Sequence, residues 1–389
     1  MIVSKEDNGS LMLHGRIDTN NSDQFKEELF QCVEGMDDVV LDLADLNYVS
    51  STGLRVFLKL KKTVKGDLRL INASNEIYDI FSVTGFTGMM DISKKLRNVS
   101  IEGCEVIGEG ANGKVYRLDN ETIVKVFNER VPEQVVREEK AYATSAFIAG
   151  VPTAISYDVV RCGNSFGAVY ELLDAKTVSQ AICAEPERTA EYGKNMGALL
   201  KRLHETYADT SVLNNIQELY IERVKSLEKY YDKKDVDLLL DIYEKLPKRD
   251  TVLHGDFHTK NIMISGDEML FIDMGDVGYG NPWFDIGGSY LGLINIGKRD
   301  PSMCPRYIGI DFEKCNIVWE NLLKTYFETE DIEKFTKIAS IFGDAKYATT
   351  PAFYTKADER VVKHVYNESK TRGIFREGYD LSVLEEVFK

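Results

Sequence analysis

His254-Gly255-Asp256-Phe257-His258-Thr259-Lys260-Asn261-Ile262-Met263, followed by Phe271-Ile272-Asp273-Met274-Gly275-Asp276, is the stretch on which the reading of this chain turns. It sets an Asp, an Asn five positions later and a second Asp at the end of an apolar strand, a spacing suited to phosphoryl transfer. A hydroxyl attacking a γ-phosphoryl group needs a carboxylate within hydrogen-bond reach to orient it and accept its proton, and Asp256 fits that part. Magnesium prefers hard oxygen ligands, which the Asn261 amide carbonyl and the Asp273 carboxylate provide. Residues 261–265 and 269–272 read as short apolar strands about a Gly266-Asp267 turn, so local signals alone bring Asp273 back to the metal position.

Upstream, Gly108-Glu109-Gly110-Ala111-Asn112-Gly113-Lys114-Val115 has the form G-x-G-x-x-G-x-V, and Val124-Lys125-Val126 follows one hairpin later. The same glycine pattern opens Rossmann units, where a helix comes next. Here residues 115–117, the Asp119-Asn120 turn and residues 122–127 read as strand, turn, strand. That context favours a phosphate-covering loop, with Gly108, Gly110, Gly113 and Val115 against the nucleotide and Lys125 on its α- and β-phosphates. Residues 133–149 are helical in pattern, starting after Pro132 and stopping before Gly150.

With Gly280-Asn281-Pro282, Asp285 and a Leu203-His204 pair after an amphipathic helix, these motifs make residues 104–389 resemble the aminoglycoside phosphotransferase and choline kinase group. The resemblance implies an α+β bilobal protein-kinase-like fold, an N-lobe over 104–173 and a C-lobe over 174–389, with ATP and Mg2+ as cofactors. It further implies Asp256, Lys125 and Glu139 as catalytic residues and Asn261 and Asp273 as metal ligands. Glu139 is taken to hold Lys125, with Glu138 as the alternative, because sequence does not fix helix phase to one residue. Tyr170-Glu171-Leu172-Leu173 resembles the interlobe hinge, where backbone groups of Glu171 and Leu173 would hold adenine. Residue 255 is Gly where protein kinases usually carry an Arg that reads activation-loop phosphorylation, and only eleven residues separate Asp273 from Asp285. A small-molecule hydroxyl is therefore expected as acceptor, not a peptide. Asp285 is expected to be structural, accepting backbone hydrogen bonds that tie the catalytic loop to the C-lobe. Tyr347, Phe353 and Tyr354 are either core or acceptor-pocket lining.

The first hundred residues have another character. Strands over 11–17, 38–43 and 67–72 alternate with helices over 22–33, 53–64 and 75–83, which makes a small α/β domain around one sheet. Ser50-Ser51-Thr52-Gly53 sets hydroxyls at a helix start, where the dipole and free amides receive a phosphate well. With Gly15-Arg16-Ile17-Asp18 and Leu70-Ile71-Asn72, this arrangement resembles the STAS domain of anti-sigma factor antagonists across residues 1–98, joined to the rest by a linker at 99–103. The resemblance implies a regulatory, partner-binding module, with Thr52, or Ser51 beside it, as phosphorylation site. The family's usual Asp two positions before that site is Ser50 here, and an N-cap is the other role open to these hydroxyls.

Bulk properties set the remaining limits. The 389 residues suffice for two or three compact units, and no run of about eighteen apolar residues appears. Met1-Ile2-Val3-Ser4-Lys5 leads into charge and not into a signal-peptide core, so a cytoplasmic protein without membrane association is expected. The six cysteines are scattered without a C-x-x-C and read as reduced thiols. A net charge of −15 disfavours nucleic acid as partner. Residues 1–100 hold 12 Lys or Arg against 15 Asp or Glu, so −12 lies in the kinase-like part and suits a cationic acceptor such as an amino sugar or choline-like alcohol. The functional classes left open are a small-molecule kinase, a signalling kinase acting on a Ser or Thr of a STAS domain (its own or a partner's), and a kinase-shaped binding protein without turnover.

Overall fold

Parallel strands need crossovers, and the alternation over the first hundred residues supplies them. In the computed structural model, which describes residues 2–6, 9–110, 112–353 and 358–388, five strands run in the order Val3–Lys5, Leu11–Ile17, Val39–Val49, Leu68–Ala73 and Asp91–Lys94. The first pair is antiparallel and the rest are parallel. The helices Ser22–Cys32, Ser51–Thr63 and Asn75–Val83 bury Phe25, Leu29, Phe57, Leu60 and Phe81 against Leu13, Ile17, Leu41 and Leu43. Val39, Leu41 and Leu43 are buried while Val40 and Asp42 between them are half-buried, so one sheet face carries most of the core.

The two outer strands, Val3–Lys5 and Asp91–Lys94, were not anticipated. They are short and polar, and exist because a paired edge completes the sheet. Ser93 and Lys94 belong to the last strand, ahead of the linker expected at 99–103. The helix expected from Gly53 begins at Ser51 because the Ser50 Oγ accepts the Gly53 N–H at 3.3 Å, drawing Ser51 and Thr52 into its first turn. Gly53 has no room for a side chain, as a Cβ there would lie 2.7 Å from Ile17 Cγ2. Ser50→Ala is expected to destabilise this unit by about 1 kcal/mol, read as a lower first transition in thermal unfolding.

The chain divides into Met1–Val99 and Ser100–Lys389. In the second unit, antiparallel strands lie in the order Ser156–Cys162, Ser165–Glu171, Thr122–Phe127, Gly113–Arg117 and Val106–Gly110. Helix Glu133–Ile148 sets Val136, Ala143 and Ala146 inward and ends at Gly150, whose φ is +90°. The remainder is mainly helical. Thr189–Glu205 lies against Phe312–Phe327 at close range, for a Cβ on Gly197 would come 2.5 Å from the Leu322 carbonyl. Two of the longer helices are Phe312–Phe327 and Glu333–Thr349. Among the described residues no helix is long and apolar enough to cross a membrane. All six cysteines are free thiols.

Candidate active site

The catalytic-loop sequence alternates inward and outward residues. Phe257, Thr259, Asn261 and Ile262 are buried while Asp256 is left exposed, because the apolar members belong to the core beneath. Strands Ile262–Ser265 and Glu268–Phe271 form the expected hairpin about Gly266, which returns the chain to Asp273. The Ile272 amide then donates to the Asn261 carbonyl at 3.0 Å. Asp273 itself adopts a left-handed conformation, φ 61° and ψ 62°. Such backbone is tolerated by Asp at some cost and recurs where a side chain must be aimed.

Lys125 is the meeting point of three elements. Its Nζ lies 2.8 Å from Glu139 Oε1 on the following helix and 2.6 Å from Asp273 Oδ1, 148 residues later in the chain. The Tyr170 hydroxyl donates to the same Glu139 oxygen at 3.0 Å. Glu139 is 7% exposed, and its neighbour Glu138 instead accepts from Gln134. Burial pulls the Lys125 ammonium down, but Glu139 and Asp273 outweigh it and raise its pKa. Burial raises Glu139 in turn, against the pull of Lys125. Gly275 leaves room for the Glu139 carboxylate, since a Cβ would lie 2.8 Å from Glu139 Oε2.

Around Asp256 the donors are dense. The Asn261 Nδ2 donates to the Asp256 carbonyl at 3.0 Å and to Oδ2 at 3.1 Å, and His258 Nε2 lies 3.3 Å from Oδ2. Partial desolvation by the loop around it raises the half-exposed Asp256 carboxyl, yet the His258 hydrogen bond and the nearby charges of His258, Lys346 and His254 prevail and hold it below the usual carboxylate range. Asp276, exposed as well, goes the other way, raised by partial desolvation and by Asp256. Because the Asn261 Nδ2 is engaged, its carbonyl Oδ1 is the atom left available to a metal. With Asp273 this gives two hard oxygen donors, a set that fits Mg2+ completing its shell from phosphate oxygens and water.

The loop is held from beneath. Asp285 accepts the His254 and Gly255 amides at 2.7 Å each and faces His204 Nε2 at 3.1 Å, while His204 Nδ1 meets the Tyr326 hydroxyl at 2.8 Å. Gly255 has φ +84°, and a Cβ there would lie 2.2 Å from the Asp276 carbonyl. The position that carries Arg in protein kinases thus has no space for any side chain.

In the glycine loop, Gly108 pairs with Val115, Gly110 with Gly113 and Val115 with Lys125. Gly113 is sterically fixed, since a Cβ would lie 2.0 Å from the Val126 carbonyl. Ala111 lies outside the described residues, as does Tyr354. At the hinge the Glu171 carboxylate accepts the Ile155 amide at 2.7 Å, and the Leu172 amide donates to the Glu121 carbonyl at 2.7 Å. Phe353 packs on Tyr220 and under Arg223, and Tyr347 lies under Arg299. Sequence reading gave no role to Asp276, Tyr170 or Lys346. Asp276 stood within a quoted motif, whereas Lys346 lies far along the chain with no local signal.

Residues 103–306 match the phosphotransferase enzyme family, and residues 1–99 match the STAS domain. The anti-sigma-B factor antagonist of Bacillus subtilis (strain 168) is 33% identical over 97 residues, covering 24% of this chain and 89% of that protein. A methylthioribose kinase of Geobacillus sp. (strain WCH70) is 24% identical over 141 residues, covering 36% of this chain and about a third, 32%, of that protein. Among solved structures, a choline/ethanolamine kinase family protein from Mesorhizobium loti aligns with a TM-score of 0.47 at 16% identity, over 73% of this chain and 92% of that one. The chain belongs to the phosphotransferase enzyme family and carries a STAS domain ahead of the family region.

Proposed function

We propose that this protein is an ATP-dependent kinase of small-molecule hydroxyls whose STAS domain serves as a regulatory, partner-binding module. The observation that carries the reading is the Lys125 ammonium joining a strand, the Glu139 helix and Asp273 within 2.8 Å. Glu139 orients Lys125 toward the α- and β-phosphates of ATP. The hinge strand would offer adenine the backbone at Glu171 and Leu173, the Glu171 side chain being engaged by Ile155. Asn261 and Asp273 would hold a divalent ion, which when bound neutralises phosphate charge. Asp256 orients the acceptor hydroxyl and takes its proton as the acceptor oxygen bonds to the γ-phosphorus. The bond from that phosphorus to the bridging oxygen breaks, and ADP leaves with the electron pair.

The carboxylates of Asp256 and Asp276, near enough for the charge of one to act on the other, suit an acceptor bearing an ammonium group, such as an amino sugar or a choline-like alcohol. The partial likeness to methylthioribose kinase adds thio-sugars to the trial set. One feature favours a second reading, a kinase acting on a STAS hydroxyl. Ser51 is exposed and Thr52 half-exposed in the first turn of a 13-residue helix, with the Thr52 hydroxyl 2.7 Å from Ser50 Oγ.

Mass spectrometry after incubation with magnesium-ATP and a panel of amino alcohols, amino sugars and thio-sugars separates the two, with Asp256→Asn as control. Asp256-dependent phosphate on a panel compound is the expected result. Asp256-dependent phosphate on Ser51 or Thr52 with an untouched panel establishes the signalling reading instead.

A further inference from the structure

We propose that Lys346 is a positioning residue of the phosphoryl-transfer site, a charged anchor delivered to the catalytic loop from helix Glu333–Thr349. This rests on the kinase reading above and deepens it. Of the loop's own cationic groups, His258 faces the Asp256 carboxylate at 3.3 Å, while Lys260 and His254 are engaged elsewhere. Lys260, the lysine between Asp256 and Asn261, donates its Nζ to the Arg306 carbonyl at 2.7 Å. The His254 ring lies between the Ile272 carbonyl at 3.1 Å and the Asp256 amide at 3.2 Å. Lys346 Nζ, by contrast, donates to the Gly255 carbonyl at 2.8 Å, on the residue immediately before Asp256.

The path of this lysine is built into the packing of two helices. A Cβ on Gly287 would lie 2.5 Å from Phe342 Cβ, and one on Gly343 would lie 2.9 Å from the Gly287 carbonyl, so Trp283–Tyr290 and Glu333–Thr349 touch backbone to backbone. A Cβ on Gly288 would lie 2.8 Å from Lys346 Nζ itself. Gly288 therefore leaves a lane along which the lysine runs to the loop. Among the described residues Lys346 has no carboxylate within ion-pair distance, so its charge is not cancelled by a fixed partner. The ammonium has three donors, and the Gly255 carbonyl takes one. The charge acts on both Asp256 and Asp276, the carboxylates beside which the acceptor hydroxyl is to be held. Lys346 thus fixes the turn that aims Asp256 and sets positive charge next to it before any substrate arrives. Preorganised charge of this kind is effective because it need not reorganise during the reaction.

The test uses the full chain with magnesium-ATP and the panel of amino alcohols, amino sugars and thio-sugars as acceptors, comparing wild type, Asp256→Asn, Lys346→Met, Lys346→Gln, Lys346→Arg and Gly288→Ala. Lys346→Met and Lys346→Gln should lower kcat about 100-fold, with KM for magnesium-ATP and affinity for a fluorescent ATP analogue changed by no more than about twofold. Lys346→Arg should restore kcat to within about tenfold of wild type, because charge and donor return together. Wild-type kcat in Lys346→Gln overturns the proposal, and so does an equal loss in Lys346→Arg and Lys346→Met. Should Lys346→Met fail to fold, Gly288→Ala decides, since it keeps the charge and crowds its lane. A fall in kcat there that Lys346→Gln shares supports the anchor, and wild-type kcat in both variants overturns it. Absence of Asp256-dependent turnover in wild type would sink the kinase reading itself, a result distinct from insensitivity to Lys346 alone.

Discussion

Asp256→Asn will bind magnesium-ATP normally and lose phosphoryl transfer, with kcat falling about 1,000-fold. Asn is nearly the same shape, and the loop beneath is fixed by contacts that do not involve this carboxylate, chiefly Asp285 on the His254 and Gly255 amides. What the substitution removes is the proton acceptor. The His258 hydrogen bond and the surrounding positive charge hold the Asp256 carboxyl low against its partial desolvation, so the base is ionised throughout the neutral range. Its loss on acidification is accordingly expected below the ordinary carboxylate range. Asp273→Ala makes the contrasting case, since it deletes a metal oxygen and a partner of Lys125. It should raise KM for magnesium-ATP and weaken binding of a fluorescent ATP analogue, which Asp256→Asn should leave alone. Normal turnover by Asp256→Asn would remove the base assignment, whatever its binding behaviour.

The parts of this site that were legible in sequence are those joined by short, strongly signalled connections. Asp256, Asn261 and Asp273 lie on one loop and hairpin whose turn is marked by Gly266-Asp267, so spacing alone returned Asp273 to the loop. Lys125 and an acidic partner were likewise one helix apart, but the choice between Glu138 and Glu139 was a matter of helix phase. Packing set that phase, with Val136, Ala143 and Ala146 facing inward and carrying Glu139 with them. Lys346 had no sequence signal at all. Its place depends on close contact of two helices through Gly287 and Gly343, a tertiary fact. The two edge strands of the STAS unit were missed for a related reason, since strand pairing and not local propensity makes them. The early start of the Ser51–Thr63 helix follows from one hydrogen bond, Gly53 N–H to Ser50 Oγ.

Asp285→Ala should strongly destabilise the second unit, costing about 3–5 kcal/mol. The carboxylate is 1% exposed and receives two backbone amides at 2.7 Å while facing His204. Alanine leaves those amides and the His204 ring without an acceptor in a place water does not reach. Asp285→Asn keeps the shape but sets an NH2 where an acceptor is needed, and should recover only part of the loss. The sign of the pH dependence follows from the direction of the shift. Burial raises the Asp285 carboxyl, but the His204 and His254 interactions overcome it and hold the folded-state pKa below the unfolded value near 4. Its contribution is therefore fully present above that value and is lost as pH falls through the folded-state pKa. Thermal unfolding at neutral pH should show the second unit's transition lowered by roughly 10 °C in Asp285→Ala. In acid the gap between wild type and variant should narrow, because wild type alone loses the contribution there. A gap that persists undiminished to low pH, or a variant that melts with wild type at neutral pH, would show that the loop is anchored by its apolar members Phe257 and Ile262 and not by this carboxylate.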